Sequence, residues 1–309
     1  MRVFITGING LLGSALARNH KSRGHIVMGC DVDDRHGYCD IRDYQSLLLK
    51  LKVAKPDRVY HCAAMLGVQN TENHPDVCRD INERGTVCVV DACNVADVPE
   101  FVMLSSSEVY GRPRKNQPLQ ESSPLLGNNV YALGKIENEN YVTARFRNKA
   151  VIVRMFNCYG VNQVKQFFVP KAIDLAKKGQ PIQVYGHYGN TRSYLYSEDA
   201  AEYIRQVATN APDGEVVNVA HYCPVTLGDL VKGIVTRTAS SSKVELLRAN
   251  YTDRMVSRDI PNRMADLTKL TRYTDHTPLS LWEGISAAIT GYNTLKDDWF
   301  YKRTVKNYG

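Results

Sequence analysis

The sequence predicts an α/β fold: a doubly wound parallel sheet with helices on both faces, followed by a smaller mixed α/β lobe. Three observations predict it. Short apolar runs alternate with helix-patterned stretches through the first 160 residues. Those runs are near-continuously apolar, as strands covered on both faces are. A glycine-rich turn joins the first run to the first helix.

The elements follow in order. A strand over 3–6 enters Gly7-Ile8-Asn9-Gly10-Leu11-Leu12-Gly13, where a helix over 11–21 begins. A second strand, 26–31, ends on Asp31. Strands at 58–61, 101–105 and 151–155 then alternate with helices at 43–54, 76–96 and 130–147. Beyond about residue 160 the pattern loosens, and Pro170, Pro181, Pro212, Pro224, Pro261 and Pro278 punctuate shorter segments. Helical stretches persist at 168–178, 198–209, 226–238 and 280–292. These shifts predict a dinucleotide-binding domain over 1–160 and a substrate lobe over 161–309, with parts of the chain crossing between them.

Composition narrows the function. The 309 residues are 43% hydrophobic and 23% charged, a globular balance that excludes a disordered or fibrous chain. No apolar run reaches the roughly 18 residues of a membrane span. Met1 leads directly into Val3-Phe4-Ile5, which leaves no room for a signal peptide. A soluble, cytoplasmic protein is expected. The net charge of +7 is scattered and not blocked, which suits a small anionic substrate better than nucleic acid or membrane. Eight cysteines show no Cys-x-x-Cys spacing and eight histidines no paired spacing, so no metal is expected and the cysteines read as reduced, buried hydrophobes. His61 reads as a packed core residue.

In the glycine turn, Gly7 permits the tight bend, Gly10 lets backbone approach a diphosphate, and Gly13 permits close helix–strand packing. The helix start at Leu11 and Leu12 offers unpaired N–H groups and partial positive charge to phosphates. Asp31 is placed to hydrogen-bond the ribose hydroxyls, and Asp33 and Asp34 add charge that repels a 2′-phosphate. Arg35 argues the other way but is outnumbered. NAD, not NADP, is the expected cofactor.

Tyr131 and Lys135 lie four apart on a helix and so share a face. An ammonium there favours the phenolate, so Tyr131 can take a proton from a substrate hydroxyl. Ser106, just past a strand, is placed to bond the reacting oxygen.

The GxxGxxG spacing together with Tyr131-Ala132-Leu133-Gly134-Lys135 resembles the extended short-chain dehydrogenase/reductase family, the Rossmann-like nucleotide-sugar epimerases and dehydratases. His61-Cys62-Ala63-Ala64, Ser105-Ser106-Ser107-Glu108-Val109-Tyr110-Gly111, Arg154-Met155-Phe156-Asn157-Cys158-Tyr159-Gly160 and Thr191-Arg192-Ser193-Tyr194 extend the likeness nearly end to end. The resemblance implies catalysis by Ser106, Tyr131 and Lys135, with Asp40, Ile41, Ala63 and Ala64 completing the NAD site. It also implies a nucleotide-diphosphate sugar as substrate, met by Ser106, Ser107, Asn157, Tyr185, Arg192 and Arg258. Arg254 and Arg263 are alternatives to Arg258, because the family arginine expected three residues before Asp259 is Val256 here.

Glu108 carries the narrower reading. Relatives that act at the sugar C5 tend to carry Ser/Thr-x-Glu-Val-Tyr-Gly, and a carboxylate there is a general base once C4 is a ketone. The bland alternative pairs Glu108 with a surface lysine such as Lys115. Ser107 stands where glucose-type 4,6-dehydratases have Asp, and mannose-type dehydratases normally take NADP, against Asp31. The expected reaction is therefore 4,6-dehydration or decarboxylation with Glu108 as base. 4-Epimerisation, as in UDP-glucose 4-epimerase, is the alternative, and an NAD-binding scaffold the non-enzymatic one. Val87, Val90, Tyr141 and Val142 suggest that the helices at 76–96 and 130–147 pair into a homodimer. The tail from 297 to 309 mixes aromatic and basic residues and reads as a surface helix or frayed end.

Overall fold

The computed structural model describes residues 1–33, 35, 38–112, 117–185, 189–247 and 262–291. The first half runs β1 (Arg2–Thr6), α1 (Leu11–Lys21), β2 (Ile26–Cys30), α2 (Tyr44–Ala54), β3 (Arg58–His61), α3 (Val68–Asn73), α4 (Pro75–Arg79), α5 (Gly85–Val95), β4 (Glu100–Ser106), α6 (Val130–Arg145), β5 (Lys149–Met155) and β6 (Asn157–Tyr159). The rest contains α7 (Phe168–Lys177), β7 (Ile182–Tyr185), β8 (Thr191–Tyr196), α8 (Ser197–Asn210), β9 (Glu215–Val219), β10 (Pro224–Thr226), α9 (Leu227–Arg237), β11 (Val244–Leu247), β12 (Asn262–Arg263), α10 (Leu270–Tyr273) and α11 (Leu281–Thr290).

Six parallel strands form the main sheet in the order β2-β1-β3-β4-β5-β9. β1 is flanked by β2 on one side and β3 on the other, so the order reverses there and a crevice opens at the carboxyl ends of β1 and β3. Helices cover both faces. One face packs Leu16, Tyr60, Ile204 and Val217, the other Leu47, Leu51, Val89 and Phe101. A separate core around Ile173, Val184, Leu230 and Ile285 belongs to the second lobe. The sixth strand, β9, comes from beyond residue 160, with α8 packed beside it, so the chain does cross back.

The helix expected over 76–96 is interrupted. A π turn over Asp80–Arg84 separates α4 from α5. At its centre Asn82 leaves the regular ladder: its Oδ1 accepts from Met65 N at 2.7 Å and its Nδ2 donates to Met65 O at 3.0 Å. Its carbonyl accepts from Asn138 Nδ2 on α6 at 2.9 Å. The apolar spacing of 76–96 is helical on both sides of the bulge, so periodicity alone did not reveal it.

Candidate active site

The cofactor end is built from backbone. Gly7 has φ +69°, a left-handed conformation that disfavours any side chain. A Cβ on Gly7 would sit 2.7 Å from Ala63 N, and one on Gly13 only 2.1 Å from Gly7 O. Ala63, just past β3, therefore presses on the turn, and α1 starts against it. Asp31 follows β2 and accepts from Asn9 N at 3.0 Å and from Asp33 N at 3.2 Å. A carboxylate has about four lone-pair sites, so capacity for ribose hydroxyls remains. Arg35 is engaged by Asp33 at 2.6 Å, which removes the argument it supplied for a 2′-phosphate. Asp34 lies outside the described residues.

Asp40 and Ile41 are placed differently from a simple ligand contact. The Asp40 carboxylate accepts from Arg42 N at 3.0 Å and from its Nε at 2.9 Å, and Ile41 is buried in the core.

The reacting centre lies at the end of β4. Ser106, the last residue of that strand, caps a short 3₁₀ turn over Ser107–Tyr110, and its Oγ accepts from Glu108 N at 3.2 Å. Its hydroxyl proton is left to donate to an approaching oxygen. Ser107 is buried inside the turn. Asn129 caps α6, accepting from Ala132 N at 2.8 Å, so Tyr131 enters on the first turn of the helix. Lys135 follows one turn later. Its Nζ lies 5.8 Å from the centre of the Tyr131 ring and donates to Leu104 O, two residues before Ser106, at 2.8 Å. Burial lowers this ammonium to about 8, still charged at neutral pH. His61 is core, as expected: it sits between Thr6 Oγ1 at 2.8 Å and Thr86 Oγ1 at 3.0 Å, and burial holds it neutral, down to about 3.

Glu108 is an ion-paired carboxylate; Lys115, the partner weighed for it, lies outside the described residues. Its partner is Arg263 on β12, whose Nη1 bonds Glu108 Oε1. Asn129 Nδ2 donates to the other oxygen at 3.4 Å. The cap of the Tyr131 helix therefore also orients the carboxylate. An Asn two residues before Tyr131 was a legible cap signal; Arg263 had no local signal at all.

Under the site, Arg154 on β5 forks onto Glu139 of α6, with Nη2–Oε2 at 2.7 Å, and donates to Tyr110 OH at 3.0 Å. Tyr110 in turn donates to Asn218 on β9 at 2.7 Å. This buried network ties the 3₁₀ turn to the sheet.

The residues expected on the sugar side fall on three strands, β6, β7 and β8. Asn157 starts β6, which pairs with β8, and Arg192 lies on β8. Tyr185 ends β7; its side chain, like Arg258 and Arg254, lies outside what is described. Among the described residues there is no cluster of three metal-ligating groups and no helix long and apolar enough to cross a membrane.

The profile of the NAD dependent epimerase/dehydratase family matches residues 3–220, which covers the glycine turn, Ser106, Tyr131 and Lys135. The chain belongs to this family. The cradle at Gly7–Gly13 fits the NAD on which the family depends: it presents backbone where any Cβ would collide, with an acid at the end of the neighbouring strand. Among curated relatives, a trifunctional UDP-glucose 4,6-dehydratase/UDP-4-keto-6-deoxy-D-glucose 3,5-epimerase/UDP-4-keto-L-rhamnose-reductase from Arabidopsis thaliana is 34% identical over 70% of this chain and 36% of its own length. A dTDP-D-glucose 4,6-dehydratase from Mus musculus is 31% identical over 67% of this chain and 59% of its own. The chain thus spans well under two thirds of these two relatives. A UDP-N-acetyl-alpha-D-glucosaminuronate decarboxylase from Bacillus cytotoxicus is 27% identical over 96% of this chain and 99% of that one. The fold matches that of Thermus thermophilus UDP-glucose 4-epimerase, solved with NAD, at a TM-score of 0.85 and 21% identity, covering 95% of this chain and 99% of that one.

Proposed function

We propose that the protein modifies a nucleotide-diphosphate sugar by transient oxidation at C4, followed by loss of water or carbon dioxide on the C5–C6 side. The observation that carries this reading is the placement of Glu108. It lies in the same 3₁₀ turn that Ser106 caps, bonded to the cap of the Tyr131 helix. When bound, NAD supplies reversible hydride transfer at C4. Tyr131 takes the C4 hydroxyl proton, helped by the Lys135 ammonium, and Ser106 donates to the same oxygen. In the dehydration route Glu108 removes the C5 proton, which the adjacent C4 ketone acidifies. Arg192 and Asn157 hold the diphosphate side.

The same reading includes a cytoplasmic homodimer. Eight free cysteines support a reducing compartment. The helix pairing needs a corrected surface, because Val90 and Val142 are buried in the chain's own core. Val87 and Tyr141 stay half-buried, and Leu133 and Val95, at 50% and 55% exposure on α6 and α5, add apolar side chains to that surface.

Glu108→Gln tests the function. It keeps size and hydrogen bonding but removes the base, worth about a hundred-fold in rate. Wild-type protein should place solvent deuterium at C5 of the product, and the variant should turn over about a hundred-fold more slowly. A variant as fast as wild type, or a C4-inverted product without C5 deuterium, would favour 4-epimerisation instead.

A further inference from the structure

The helix that carries Tyr131 and Lys135 carries a further charged group on the same face. Glu139 stands one turn beyond Lys135 on α6 and is 5% exposed. Both side chains reach the end of β4. Lys135 Nζ donates to Leu104 O at 2.8 Å, and Ser105, the next residue, donates its hydroxyl to Glu139 Oε1. Arg154 lies opposite Ser105 in the register of β4 and β5, and its Nε donates to the same oxygen at 3.0 Å. One turn of α6 thus grips two successive residues immediately before Ser106.

The surroundings of Lys135 give that grip a chemical meaning. A buried ammonium loses its charge unless an anion offsets the cost of burial. The titratable groups that act on it are Tyr131 and Glu139 on its own helix, His61 and Cys62 at and just past the end of β3, and Cys78 on α4. Burial keeps His61 neutral and pushes the Cys62 and Cys78 thiols up, to about 12 and about 11, so none of these three is an anion at neutral pH. Tyr131 is the group to be activated. Among the described residues this leaves Glu139 as the one carboxylate acting on Lys135, with Arg154 balancing its charge. A buried ion pair is a weak device for stability, since apolar replacements are often as stable, so its place beside Lys135 calls for another reason.

We propose that Glu139 is a positioning residue for the reaction: braced by Ser105 and Arg154, its carboxylate keeps the Lys135 ammonium charged beside Tyr131 and fixes the strand end that carries Ser106. No bond is made or broken at Glu139, which acts through Lys135 and Ser105. This rests on the roles given above to Tyr131, Lys135 and Ser106, and the test separates the two.

The Lys135 ammonium is titrated by nuclear magnetic resonance on protein labelled with heavy carbon at lysine Cε, its signal assigned by its loss in Lys135→Arg. Wild type is compared with Glu139→Gln, Arg154→Met and the double variant Glu139→Gln/Arg154→Met, after thermal melts confirm folding. Glu139→Gln leaves Arg154 as an unbalanced charge, so the Lys135 midpoint should fall by about one pH unit or more from about 8. The double variant removes both charges, and its midpoint should fall by less. It decides alone if Glu139→Gln does not fold, because replacing both members of a buried pair is the milder change. Arg154→Met should not lower the midpoint. With UDP-glucose or dTDP-glucose, whichever turns over, the alkaline limb of kcat should move with the midpoint while KM changes little. A midpoint unchanged in Glu139→Gln and in the double variant, one lowered as much by Arg154→Met, or a limb that stays put while the midpoint moves overturns the proposal. Full turnover by Tyr131→Phe would instead remove the reading on which it rests, and the titration, which needs no substrate, is independent of that result.

Discussion

At the cofactor end, residues 7 to 33 build the cradle from one strand–turn–helix and the end of the next strand, with backbone N–H groups and a carboxylate 22 positions from Asn9. At the sugar end, Glu108, Asn129 and Arg263 arrive from three segments, and the ion pair joins residues 155 apart. The first end tolerates little change because main chain meets main chain, and main chain cannot change rotamer. The second is made of side-chain tips that can exchange partners. A dinucleotide common to a whole family suits the rigid construction. A sugar that differs between relatives suits the exchangeable one.

The sharpest way to break this comparison is Gly13→Ala. The added methyl would sit 2.1 Å from Gly7 O, a backbone atom with nowhere to go, so the turn or the helix must shift. Overpacking of this kind costs about 1–3 kcal/mol or more. NAD affinity should fall by about a hundred-fold and the melting temperature by several degrees, while nucleoside diphosphate binding at the other end changes far less. Equal losses at both ends would mean that they are not independently built.

A smaller effect is expected from Asp31→Ala. If Asp31 bonds the ribose hydroxyls, removing its carboxylate loses about 1.5–3 kcal/mol of NAD affinity, roughly ten-fold or more. NADP, which Asp31 repels, should lose little or gain. Fluorescence titration with both cofactors checks this, and an unchanged preference for NAD would shift the selectivity to Asp33 and its neighbours.

The mildest test uses pH. Unfolded imidazole protonates below about pH 6.5. Burial pushes His61 and His20 down to about 3 in the fold. Between those values only the unfolded chain takes up these protons, so stability present above pH 6.5 is lost on acidification, by about 1.4 kcal/mol per pH unit for each histidine. Melting temperatures should therefore fall from pH 7 to pH 5. A flat curve would mean that these sites admit water and charge, and that the core beneath the cofactor end is looser than its packing implies.

Much of the molecule was legible beforehand because its signals are local. Gly7 and Gly13 reveal the turn, since only glycine fits where a Cβ would strike Ala63 or Gly7. Tyr131 and Lys135 declare a shared helix face by spacing alone. The strand expected over 151–155 is buried along its length, as its apolar run says, whereas 58–61 is buried although Arg58 and His61 are polar. The break at Asp80–Arg84 was hidden, because the apolar rhythm continues through it and the cause is an asparagine bonded to Met65 across the chain.

What the sequence by itself determined is thus the fold class and the glycine turn of the NAD cradle, each written in spacings of a few residues that dictate backbone conformation. Only the tertiary structure decided the partner of Glu108. Arg263 sits in a run where Arg258 was the expected substrate contact and Arg263 only an alternative, and no local pattern pairs it with Glu108. Its role arises because β12 is laid beside β8, in register with Arg192, and strand pairing depends on which distant segments meet in space, a property that no local pattern encodes.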